Sequence, residues 1–128
     1  MKKAVLVGAL SIIVGNAYAV CPGNAVPDAG FVLSGKRIDA AVGGDWKEIH
    51  CSSGDLKKVG TGTSTGVDPT TVIGSWSATE SDVTYKYNKP DGSTNDFTFE
   101  LHKQGEIYNF CVGADTKASG TLSDASDC

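Results

Sequence analysis

The chain has 128 residues, with 11 lysines and arginines against 15 aspartates and glutamates, a formal charge of −4 and a pI near 5.0. That balance argues against partners that need basic patches, nucleic acid and anionic lipid surfaces among them. Four cysteines, 16 glycines and 20% charged residues fit a small disulfide-bonded domain.

Residues 1–19 read as a secretory signal: Lys2 and Lys3, an apolar run from Ala4 to Val14, and the small-residue site Ala17-Tyr18-Ala19. The apolar run is too short to span a bilayer, so no membrane insertion is expected after cleavage. Cleavage after Ala19 leaves residues 20–128 as one domain in which 9 basic residues, a single arginine among them (Arg37), face 15 acidic ones, a net charge of −6. The expected location is outside the cytoplasm, in the periplasm or the medium. Cys21, Cys51, Cys111 and Cys128 all lie in that part, an even number without Cys-x-x-Cys spacing, and two disulfides are expected. Of the three possible pairings, the shorter loops favour Cys21–Cys51 with Cys111–Cys128.

Along the mature chain, Val20 to Gly30 carries two turn clusters, Pro22-Gly23-Asn24 and Pro27-Asp28-Ala29-Gly30, and reads as an irregular arm tied down by Cys21. Phe31 to Val42 reads as a bent strand broken at Ser34-Gly35, with a short helix over Lys36 to Val42 as the alternative. Trp46 to Cys51, the turn Ser52-Ser53-Gly54-Asp55 and Leu56 to Val59 form a hairpin pattern. Gly60 to Gly66 holds only Gly, Thr and Ser and is expected to be a surface loop. Asp68-Pro69-Thr70-Thr71 predicts a single helical turn that ends at Gly74.

From Ile73 to Val112 the chain reads as a β-meander. Val83, Tyr85 and Tyr87 share one face; Phe97, Phe99 and Leu101 share another, opposite Thr98, Glu100 and His102. A one-residue slip would bury ionisable groups, so the register is well specified. Ile107 to Val112 is apolar on both faces, as in a more central strand. Lys89-Pro90-Asp91-Gly92 and Gln104-Gly105 supply the turns, Asp115 to Ser119 reads as another, and Thr121-Leu122 as a weak last strand. The expected fold is all-β, a small antiparallel meander forming a twisted sheet or partly closed barrel, with Trp76, Val83, Tyr85, Phe97, Phe99 and Leu101 in the core.

Gly74-Ser75-Trp76, after a short turn and at a strand entrance, resembles the Gly-x-Trp strand-entry motif of the lipocalins and related calycin barrels. The resemblance covers about ten residues, and only 52 residues follow Trp76 where that family has eight strands. It implies a lipocalin-like barrel that holds an apolar ligand, with Trp76, Tyr85, Tyr87, Phe97 and Phe99 as the candidate ligand-binding residues.

The only two histidines stand in a doubled pattern, Glu48-Ile49-His50 and Glu100-Leu101-His102. Residues two apart on a strand share a face, so each pattern sets a carboxylate beside an imidazole. Glu48, His50, Glu100 and His102 would make a divalent-metal site if the two strands were neighbours and these faces converged. The burial expected for Phe97, Phe99 and Leu101 instead turns Glu100 and His102 to solvent. Neither histidine lies near a nucleophile-elbow sequence and no phosphate-binding glycine loop occurs, so neither an enzyme nor a cofactor is expected. Two classes remain: a secreted binding module for a small apolar ligand, or a protein-interaction module, an inhibitor or envelope-associated structural protein, that works through its loops.

Overall fold

In the computed structural model, residues 20–41, 46–59, 70–126 and 128 are described. The elements are β1 (Asn24–Ala25), α1 (Ala29–Leu33), β2 (Lys36–Ala40), β3 (Lys47–His50), β4 (Asp55–Val59), β5 (Thr70–Thr79), β6 (Asp82–Asn88), β7 (Thr94–Gln104), β8 (Ile107–Val112) and β9 (Asp115–Asp124). From β2 to β9 every strand pairs antiparallel with its sequence neighbour, and β9 pairs back onto β2, so eight strands close an up-and-down barrel. Closure removes the sheet edges that an open meander of this size would expose. β1 is a two-residue addition to the far end of β7.

The strands bend sharply, and two glycines permit it. A Cβ on Gly74 would stand 2.0 Å from the Lys86 carbonyl oxygen, and one on Gly120 would stand 2.6 Å from both the Asp39 carbonyl oxygen and Ile38 Cγ1. Each glycine sits where a long strand passes from one partner to the next: β5 from β4 to β6, β9 from β8 to β2. Register shifts fall close by, at Leu56/Lys57 and at Thr116/Ala118, where an extra residue increases the local twist.

One end of the barrel is plugged. α1 starts at Asp28, whose Oδ1 accepts from the Phe31 amide, and it buries Ala29 and Leu33 completely. The Ala29 amide donates to the Glu80 carbonyl in the β5–β6 turn, which fixes the helix across that end. Val26, Ala29, Leu33, Ile38, Leu56, Trp76, Val83, Tyr85, Leu101 and Phe110 form the core. The arm before α1 is stapled outside β8 by Cys21–Cys111, and Asn109 Nδ2 donates to the Pro22 carbonyl.

Several expectations need correction. The disulfides are Cys21–Cys111 and Cys51–Cys128, not the short-loop pairing, because β8 and β3 are brought beside the two chain ends by barrel closure. The helix lies at Ala29–Leu33, ahead of Lys36–Ala40, which is a strand: Asp28 caps it and Gly35, at φ 76°, follows it. Thr70 and Thr71 belong to β5, not to a helical turn, since they pair with Val59 and Lys58. Gly74-Ser75-Trp76 therefore stands in the middle of a ten-residue strand rather than at a strand entrance. Asp115 to Ser119 is strand, the turn being at 113–114, and the last strand runs ten residues. The expected Gly60–Gly66 loop, the Asp68-Pro69 turn start and the signal segment fall outside the described residues.

The meander reading holds in its faces. Val83, Tyr85 and Leu101 are buried, while Thr98 and Glu100 are exposed and His102 is half-buried on the outer side. Phe97 and Phe99 point the same way as Leu101 but are not core residues: Phe97 is 47% exposed and Phe99 half-buried, because they stand beyond the stretch of β7 that pairs with β8.

Candidate functional site

The end opposite α1 is shaped by unequal strand lengths. β7 pairs with β6 over Thr94 to Glu100 but with β8 only over Glu100 to Gln104. Its first six residues therefore stand above the β8–β9 turn, and the β6–β7 hairpin forms a raised lip. The Leu101 amide donates to the Ser81 carbonyl on the β6 side, so by the antiparallel alternation the backbone groups of Thr94, Asp96 and Thr98 point away from β6. No described strand pairs with that side of the lip.

Inside the lip is a cavity of about 260 Å³ lined by Trp46, Tyr85, Tyr87, Phe97, Phe99, Phe110 and Ala118. Its rings meet at steep angles: 83° between Trp46 and Phe110, 87° between Phe99 and Phe110, and 64° between Tyr87 and Phe97. Tyr85 stacks with Tyr87 and Phe97 with Phe99. A larger groove of about 820 Å³ lies on the plugged side between α1 and the ends of β8 and β9, but its lining is mixed, with Lys36, Glu106 and Asp124 among its residues. Convergent apolar walls are what a small-molecule pocket requires, so the smaller cavity is the better candidate.

Below and behind the cup, β3 turns two polar side chains inward. His50 is fully buried; its Nδ1 lies 3.3 Å from the Lys36 carbonyl and its Nε2 lies 2.7 Å from the Tyr85 hydroxyl. A carbonyl only accepts, so Nδ1 carries the proton and Nε2 accepts from Tyr85. Burial pulls the His50 pKa down to about 4, keeping the ring neutral. Glu48, 6% exposed, accepts from the Tyr87 hydroxyl at 3.0 Å. Burial pushes its carboxyl above the usual range, and the neighbouring Trp46 and Tyr87 side chains and the charge of Lys58 pull it part of the way back. Burial likewise raises both tyrosine hydroxyls, so they act as donors.

Four of the five ligand candidates read from the sequence, Tyr85, Tyr87, Phe97 and Phe99, line the cup. The fifth, Trp76, does not; it lies in the core, its Nε1 donating to the Cys51 carbonyl at 2.9 Å with the ring edge-on to His50. The lining also takes Trp46, Phe110 and Ala118, which are not among those five candidates. Phe110 shares a face with Tyr108 and Val112, and that alternation was the signal for its inward direction.

The Glu/His pairs are not brought together. Glu48 and His50 face the barrel interior, whereas Glu100 and His102 face outward, His102 Nε2 lying 3.1 Å from Glu100 Oε1 and Nδ1 3.1 Å from the Gly23 carbonyl. Among the described residues no cluster of three or more His, Cys, Asp or Glu is placed to hold a metal ion. Comparison of the chain with protein-family models, with curated proteins and with solved structures finds no match.

Proposed function

We propose that the protein is an exported, non-catalytic binding module that holds a small apolar ligand in the aromatic cup. The observation that carries this reading is the cup itself: six aromatic side chains converge on one cavity at the end of the barrel opposite the one closed by α1. The cavity of about 260 Å³ lies just under the usual range for drug-sized ligands, so the fit is to a molecule of one or two rings. The signal-like segment before Val20 and the two long-range disulfides support an oxidising compartment outside the cytoplasm.

Naphthalene is a suitable test probe, followed by the fluorescence of the two tryptophans. The expected result is saturable quenching at one molecule per chain. Quenching that stays linear up to the solubility limit would remove this reading.

A second reading, a protein-binding module, is favoured by the open edge of the lip, where the N–H and C=O groups of Thr94, Asp96 and Thr98 could accept an added strand beside the exposed Phe97. Thr98→Pro would delete an edge donor while leaving the β6 pairing intact. Partner capture that survives this substitution would count against strand addition.

A further inference from the structure

We infer that the molecule held in the cup is a small organic cation, an ammonium or quaternary ammonium with apolar substituents, recognised by the faces of the lining rings and by the charge of Glu48. This rests on the reading of the cup as a ligand site and narrows it to one chemical class.

The first support is geometric. Rings set at 64° to 87° to one another around a single cavity present π-faces from several directions, and a cation is attracted to the face of an aromatic ring. Phe97 and Phe99, stacked on the lip, extend that wall toward solvent.

The second support is the carboxylate. Among the described residues Glu48 has no ion-pair partner within salt-bridge distance; the charge that acts on it is that of Lys58, its solvent-exposed register partner on β4. His50, two residues along the same strand, is neutral and spends both nitrogens on Lys36 and Tyr85. A buried carboxylate without a cation is costly, and a neutral guest in the cup would leave that cost in place. A cationic guest would offset it.

The third support links the first two. Tyr87, in the cavity wall, directs its hydroxyl hydrogen at Glu48. A phenol that donates to a carboxylate is polarised so that its ring becomes more electron-rich. The hydrogen bond thus carries part of the Glu48 charge into a ring face that a guest touches. The negative net charge of the whole chain acts in the same direction on an approaching cation.

The test compares two molecules of nearly equal shape, phenyltrimethylammonium and tert-butylbenzene, by titration calorimetry at pH 7 in low salt. The expected result is that the cation binds on the order of tenfold more tightly than its neutral isostere. Glu48→Gln, whose amide oxygen can still accept from Tyr87, should remove that preference while leaving the affinity for tert-butylbenzene unchanged. Lys58→Gln, at the solvent-exposed register partner of Glu48, should raise affinity for the cation severalfold and leave the neutral compound alone; this variant decides the matter if Glu48→Gln fails to fold. Equal affinities for the two probes, tighter binding of the neutral one, or a cation preference indifferent to either substitution would overturn the inference while leaving an apolar-ligand cup standing. Failure of both probes to bind would overturn the reading of the cup as a ligand site, and the inference with it.

Discussion

The two ends of this barrel solve opposite problems with the same strands. At the plugged end, short turns at 51–54, 80–81 and 105–106 leave little space, and α1 fills what remains with Ala29 and Leu33, both without exposure. At the other end, the lip of β6 and β7 rises past the β8–β9 turn, and its aromatic residues have walls around them but nothing described above them. Burial is complete in the first and partial in the second. Stability should therefore reside at the plug and recognition at the lip, and substitutions at the two ends should affect different measurements.

The largest effect should come from the staple that holds the plugged end to the wall. Cys21–Cys111 spans 90 residues, and replacing both cysteines by Ala should cost about 4–5 kcal/mol by the chain-entropy account. Urea unfolding of the oxidised double variant would measure it, and a loss under about 1 kcal/mol would mean that the arm contributes little to holding the plug. Leu33→Ala follows, at about 3 kcal/mol, since its side chain is entirely buried. Probe binding at the lip should survive this change wherever the variant remains folded; a loss of binding in folded protein would erase the division between the ends.

The pH response sharpens the comparison from inside the barrel. His50 has a pKa of about 4 in the folded state against 6.5 ordinarily. Between those values the unfolded chain takes up a proton that native His50 does not, so acid favours unfolding. The term is absent above pH 6.5 and grows to about 3 kcal/mol of lost stability by pH 4. Glu48 works in the other direction: its raised folded pKa means the native state holds its proton to higher pH than the unfolded chain, a contribution lost as pH rises above 4.5. His50→Gln should flatten the acid limb of a stability-versus-pH curve. An unchanged limb would show that the imidazole is not the group responsible.

The smallest change in stability should come from the lip. Phe97 is 47% exposed, and Phe97→Ala should cost under about 1 kcal/mol in unfolding while weakening probe binding by about tenfold. A stability loss as large as that of Leu33→Ala would show that the lip is core after all.

The difference between the ends also explains which features could be read from the chain alone. The faces of β6 and β7 were legible because alternation has a period of two and one error would turn Glu100 and His102 inward. The same reasoning could not say how deep each inward residue sits. Phe97, Phe99 and Leu101 are equivalent in the pattern, yet only Leu101 is fully buried, because depth is decided by where β8 stops. Nor could local pattern separate the two Glu-x-His pairs, identical in spacing. Glu48 and His50 face inward because their register partners Ile38 and Leu56 are buried in the barrel interior, and Glu100 and His102 face outward because Leu101 takes the interior.

Sequence by itself determined the faces of the two central meander strands, the four bonded cysteines and most of the rings that converge at the lip, since these follow from local periodicity and residue chemistry. Tertiary structure alone decided closure, cysteine pairing and the plug. Each depends on contacts between residues far apart in the chain: β9 reaching β2, Cys21 reaching Cys111, and Ala29 reaching the carbonyl of Glu80. Their selection among competing pairings is a matter of global packing, which short loops and local propensity do not encode.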